Sequence, residues 1–156
     1  MDLTNQMPIA TKSSKYDISK ESATAKISKK LSKIVKKGDV LFFYGEIGVG
    51  KTTFIRYLIN NLQKKNGLKL TEVPSPTFNL LNEYEIKDLL IQHYDLFRLK
   101  NINETKNIGL LENCNNVLTL VEWPEKIKKK PKSRIELIFE YKSKLDQRIL
   151  KINDFR

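Results

Sequence analysis

Residues 45 to 52 read Gly45-Glu46-Ile47-Gly48-Val49-Gly50-Lys51-Thr52, a full match to G-x-x-x-x-G-K-[ST]. That pattern serves to wrap a chain of phosphates. Gly45 and Gly50 admit backbone angles and a close approach that a β-carbon would block, and Gly48 adds freedom between them. The loop's N–H groups, with Glu46, Ile47 and Val49 contributing backbone more than side chain, converge on phosphate at the positive end of the following helix. Lys51 has the reach for β- and γ-phosphates, the Thr52 hydroxyl can ligate Mg²⁺, and Thr53 can touch a phosphate nearer the ribose. The motif is loose enough that its flanks decide the reading. It needs a buried strand before it and a helix after it.

A phosphate loop alone hydrolyses nothing. Mg²⁺ and an attacking water need carboxylates, usually where a strand ends beside the loop. Two acids fit. Glu122 closes the apolar run Val117-Leu118-Thr119-Leu120-Val121, a Walker B arrangement with Glu in place of Asp, and Asp95 follows Leu89-Leu90-Ile91-Gln92-His93-Tyr94. The sequence does not divide metal binding from water positioning between them. His93 is the only histidine, which excludes a histidine-based triad or a histidine-rich metal site, and it reads as a packed strand residue. Ser75 and Thr77 lie in a proline-flanked loop, where their hydroxyls either sense a γ-phosphate or serve ordinary turn chemistry. Arg98 either stabilises developing charge or ties a loop to a carboxylate. Trp123 either covers the nucleotide, faces a partner or fills the core.

These residues need a scaffold. Ala23, Ile27, Leu31 and Ile34 recur at helical spacing from Ser19 onward, and Lys36-Lys37-Gly38 supplies a stop. Val40–Tyr44 is a continuous apolar run, as in a strand buried on both faces, and a second helix is expected from Lys51 to Lys65. Phe78–Ile86 and Leu89–Leu96 read as a hairpin turning at Lys87-Asp88. A short helix is expected over Asn101–Glu112 with a break at Gly109, then strands at Val117–Val121, Ile135–Tyr141 and Ile149–Ile152. The class is α/β: one domain over residues 16–156, a mixed sheet flanked by helices, preceded by a loose tail at residues 1–15.

No apolar stretch approaches the roughly 20 residues of a membrane span, and Met1–Lys15 lacks the apolar core of a signal peptide. The one cysteine, Cys114, has no partner for a disulfide. The expectation is a reducing cytoplasm. Net charge is +11, from 29 Lys and Arg against 18 Asp and Glu. That favours a polyanionic partner, but the lysines are spread along the chain (Lys29, Lys30, Lys36, Lys37, Lys64, Lys65, Lys128–Lys130, Lys132), as a lysine-rich composition alone would give.

Four segments together resemble the TsaE family. They are Gly45–Thr53 followed by Phe54, Ser75-Pro76-Thr77-Phe78, His93-Tyr94-Asp95-Leu96-Phe97-Arg98-Leu99 and Glu122-Trp123-Pro124-Glu125. Lys37-Gly38-Asp39-Val40 and Ile108-Gly109-Leu110 agree, so the resemblance runs from Ser19 to Tyr141. It implies a P-loop NTPase-like fold and an ATPase using ATP and Mg²⁺, with Asp95 and Glu122 as catalytic acids and Thr52, Glu122 and Asp95 on the metal side. It also implies two partner proteins, of the TsaB and TsaD families, with which the ATPase installs threonylcarbamoyl on the adenosine beside the tRNA anticodon. The ATPase drives turnover of that complex, meets tRNA through it and hydrolyses ATP slowly alone. Two departures are mild: Glu46-Ile47-Gly48-Val49 stands where the family usually has Asp-Leu-Gly-Ala, and Phe97 replaces the usual Tyr. Phe78 is expected in the core.

The competing reading is a small-molecule or nucleotide kinase, which shares the phosphate loop and metal. The scattered arginines offer no obvious lid. A GTPase is disfavoured by the lack of Asn-Lys-x-Asp, and an RNA-binding module rests on charge alone.

Overall fold

The computed structural model describes residues 13–101 and 103–156. Its elements run β1 (Ser13–Asp17), α1 (Glu21–Leu31), β2 (Val40–Tyr44), α2 (Lys51–Lys65), β3 (Leu81–Ile86), β4 (Leu89–Asp95), α3 (Glu104–Asn107), β5 (Leu118–Glu122), β6 (Ile135–Tyr141) and β7 (Arg148–Asp154). A 3₁₀ turn spans Pro124–Lys126.

The apolar run of β2 puts it at the centre. One seven-stranded sheet has the order β1-β7-β6-β2-β5-β4-β3. The inner strands β6, β2, β5 and β4 are mutually parallel, while β3, β7 and β1 attach antiparallel at the flanks. Strands buried on both faces read as unbroken apolar runs, and β2 shows Val40, Leu41, Phe42 and Phe43 all at or near zero exposure. Alternation then sorts them. Leu41 and Phe43 join the layer under α1 and α2, with Phe54, Leu58, Leu120, Leu137 and Phe139. Val40 and Phe42 join the opposite layer, with Tyr94, Leu96, Leu99 and Val121, roofed by Leu110, Leu111 and Trp123. The fold is single-domain α/β with a mixed sheet and helices against it, as expected.

Four local expectations change. Of the segment read as a loose tail, residues 1–12 lie outside the described residues, while Ser13–Lys15 lie in β1, with Ser13 opposite Asn153 of β7. Ser-Ser-Lys-Tyr-Asp carries no apolar run of its own, so its strand comes from the free edge of β7. Helix α1 ends at Leu31 and buries Thr24, Ile27, Ser28 and Leu31, leaving Ile34 38% exposed. The small polar pair lets α2 approach, and Ser28 Oγ donates to the Phe54 carbonyl at 3.3 Å. The segment expected as a helix over Asn101–Glu112 holds one helical turn, α3, because Gly109 and Leu111 both adopt positive φ (67° and 66°) and turn the chain. Phe78 is 82% exposed rather than in the core: residues 77–79 form a turn before β3, and the ring lies 4.8 Å from the Arg98 guanidinium.

The hairpin stands as expected. Ile86 pairs with Leu89 across Lys87-Asp88, and Lys87 takes φ 52°. Among the described residues no helix is long and apolar enough to cross a membrane.

Candidate functional site

The loop Gly45–Gly50 leaves the C-terminal end of β2 and delivers the chain to α2 at Lys51. Gly45 is required by space: at φ 143° an added β-carbon would sit 2.7 Å from the Phe139 carbonyl oxygen and 2.8 Å from Val49 Cγ1. Gly50 takes φ 115° at the helix N-cap, a conformation open to glycine, so the first N–H groups of α2 face the loop. Val49 is 1% exposed and pins the loop to the core, whereas Ile47 is 68% exposed.

Lys51 is buried. Its Nζ donates to the carbonyls of Gly45 and Glu46, the latter at 3.0 Å, and lies 4.2 Å from the centre of the Trp123 ring. Burial pulls its pKa below the ordinary lysine range, against the opposing pull of Glu122, Glu125, Asp95 and Glu46.

The acids arrive by register. Strands β4 and β5 are parallel neighbours in which Asp95 stands directly opposite Glu122, so both carboxylates project from the same face at the same level. Each is 3% exposed. They have different companions. Glu122 accepts from the Thr52 hydroxyl (3.0 and 3.1 Å to its two oxygens) and lies 2.8 Å from His93 Nε2. Asp95 accepts from Ser75 and, at 3.2 Å, from Thr77, while its other oxygen takes the Phe97 N–H at 2.9 Å.

A cavity of about 410 Å³ unites these groups. Ile47, Gly48, Gly50, Lys51, Thr52 and Thr53 line it from the loop and α2, with Ser75, Thr77, Asp95, Glu122, Phe97, Trp123 and Arg148 around them. Gly45, Glu46 and Val49 shape the loop without lining the cavity. Trp123 is held in the left-handed region (φ 60°, ψ 50°), uncommon for a bulky residue, and its ring lies 4.9 Å from the Phe97 ring, tilted by 45°, while facing Lys51. Arg98 lies outside the cavity, against Phe78.

Two residues here were not read as site groups from sequence. Arg148 lines the cavity from the start of β7, with its guanidinium 5.6 Å from the Tyr141 ring and a buried Nε that has no protein partner. Nothing local in the sequence marks it, because β7 meets the loop only through the sheet order. His93 was read as packed, and it is fully buried, but it packs on Glu122.

The donor set suits Mg²⁺. Among the described residues there is no group of three His, Cys, Asp or Glu able to cage a metal. Mg²⁺ commonly takes one or two carboxylates plus phosphate oxygens and water instead. The Thr52 hydroxyl spends its hydrogen on Glu122, which leaves its lone pairs free for a cation.

A family model described as "Threonylcarbamoyl adenosine biosynthesis protein TsaE" matches residues 18–150. The chain is 40% identical over 111 residues to the tRNA threonylcarbamoyladenosine biosynthesis protein TsaE of Rickettsia felis, covering 71% of this chain and 63% of that protein. It thus spans a little less than two thirds of that relative's length. It is 33% identical over 120 residues to the protein of the same description in Bacillus subtilis, covering 75% of this chain and 71% of that one. The crystal structure of Bacillus subtilis YdiB superposes with a TM-score of 0.71 at 26% identity, covering 94% of this chain and 88% of that one.

Proposed function

Because the chain belongs to the TsaE family of threonylcarbamoyl adenosine biosynthesis proteins, we propose that it binds and hydrolyses ATP at this cavity in the service of tRNA threonylcarbamoyladenosine synthesis. Its partners are the TsaB- and TsaD-family proteins, its place is the cytoplasm, and tRNA is met through the assembled complex. The observation that carries the ATP reading is the Thr52–Glu122 hydrogen bond beside the complete phosphate loop, with Asp95 level with Glu122.

The residues divide the work by their contacts. The loop N–H groups and Lys51 hold the β- and γ-phosphates, Lys51 exchanging carbonyl partners for phosphate oxygens. Thr52 and Glu122 hold the metal side, Glu122 through the threonine hydroxyl. Mg²⁺ held there would supply positive charge to offset the negative charge of the phosphates. Asp95 orients water on the γ-phosphate side, where Ser75 and Thr77 share its carboxylate. Phe97 and Trp123 add apolar lining that limits bulk water, and Arg148 adds a cation to the cavity wall.

Few of these groups stabilise transition-state charge, so the isolated chain turns over slowly. In comparable systems a partner-supplied arginine or a reordered loop adds roughly 10³–10⁵ in rate. Phosphate release is therefore measured with the chain alone, with both partner proteins, and with partners plus tRNA. The rate rises on adding partners. An unchanged rate in the full mixture refutes the assignment.

A further inference from the structure

We propose that His93 is a positioning residue, whose imidazole N–H fixes the Glu122 carboxylate so that it holds the Thr52 hydroxyl with its lone pairs turned toward the metal. The inference rests on the Mg²⁺–ATP reading above.

The chain of contacts is short. An ionised carboxylate only accepts hydrogen bonds, so His93 Nε2, 2.8 Å from Glu122 Oε1, carries the hydrogen, and a neutral imidazole suffices. Thr52 Oγ1 donates to the same carboxylate at 3.0 Å. The register explains why His93 can reach. His93 pairs with Leu120 and Asp95 with Glu122, so His93 is the diagonal neighbour of Glu122 on the same face, within reach of a long side chain. The last torsion of a glutamate is soft, and Glu122 Oε1 has no protein donor besides His93 and Thr52 among the described residues. Without His93 the carboxylate can rotate away from the threonine.

Packing does not explain the residue. His93 is 0% exposed, and its other ring nitrogen, Nδ1, is buried with no hydrogen-bond partner. An orphaned buried nitrogen costs stability, and a leucine would fill the same place without that cost. What histidine supplies there, and leucine cannot, is a donor aimed at Glu122.

The test compares nucleotide affinity with Mg²⁺ and with EDTA, using a fluorescent ADP analogue and the full chain. The variants are His93→Leu, His93→Asn and His93→Gln, each checked by thermal melting. Glutamine can present an amide N–H near the Nε2 position, whereas asparagine falls short of it. The Mg²⁺-dependent gain in affinity should drop at least about tenfold in His93→Leu and His93→Asn, stay within about threefold of wild type in His93→Gln, and leave EDTA affinity within about threefold throughout. A wild-type Mg²⁺ gain in a folded His93→Asn or His93→Leu overturns the proposal. So does a folded His93→Gln that loses as much as His93→Asn. Should the leucine variant not fold, the Asn–Gln pair decides alone. Wild-type protein that binds no nucleotide under either condition sinks the underlying Mg²⁺–ATP reading, and the His93 role with it.

Discussion

Replacing Lys51 by methionine removes the ammonium while keeping an unbranched apolar stem of similar length. In the wild type this group is 5% exposed, bonded to the Gly45 and Glu46 carbonyls and set over the Trp123 ring. A charge-assisted contact to phosphate is worth about 1.5–3 kcal/mol. The ammonium must give up its carbonyl partners to make that contact, so the net falls toward the lower end, a loss of roughly 10- to 30-fold in ATP·Mg²⁺ affinity. Stability should change little: burial opposes the charged form of Lys51, and removing it lifts that cost while depriving Glu122 and Asp95 of a cation. Calorimetry with ATP·Mg²⁺ and thermal melts of both proteins measure the two effects. A pH series adds a sign. Because the Lys51 pKa lies below the ordinary lysine range, wild-type affinity falls as pH rises through that lowered value, and the methionine variant lacks the fall. Affinity within about threefold of wild type in a folded variant refutes the phosphate role of Lys51.

Three further outcomes follow from the same geometry. Asp95→Asn and Glu122→Gln should retain nucleotide affinity in EDTA within about tenfold yet suppress phosphate release with Mg²⁺, by the roughly 10²-fold or more expected when a positioned group is lost; wild-type turnover in both means that the acids are misassigned. Gly45→Ala forces a β-carbon to 2.7 Å from the Phe139 carbonyl at φ 143° and should cost about 1–3 kcal/mol in a denaturant melt; an unchanged midpoint contradicts the close approach. Lys29, Lys33, Lys64 and Lys65 share one groove near the ends of α1 and α2, so tRNA binding by the lone protein should show a log–log salt slope no steeper than about −3 to −4 and fade at physiological salt. Cognate-selective, sub-micromolar binding that survives ~0.15 M salt would reverse that view.

Much of this site is legible because it is local. The phosphate loop is contiguous, and the strand before it and the helix after it announce themselves by an unbroken apolar run and by length. Asp95 and Glu122 are readable as strand-end acids, but their equivalence becomes visible only through the β4–β5 register. Their separate companions, Thr52 of α2 and His93 of β4 for one, Ser75 and Thr77 of the loop before β3 for the other, depend on side-chain reach between elements distant in sequence. Arg148 is more distant still, brought to the cavity by the β7-β6-β2 order, which periodicity does not encode. Phe78 misleads for a related reason: an aromatic residue at the head of an apolar run reads as core, yet the turn at residues 77–79 aims it outward onto Arg98. Strand β1 escapes because an edge strand borrows its conformation from its neighbour.

The most direct test is a crystal structure of the full chain with Mn²⁺ and a non-hydrolysable ATP analogue, read by anomalous scattering. The account predicts the triphosphate along Gly48–Thr53 with Lys51 turned onto it, and a metal peak bonded to Thr52 Oγ1 and facing Glu122 and Asp95. A nucleotide bound elsewhere, or a metal peak remote from Thr52 and from both carboxylates, would contradict it.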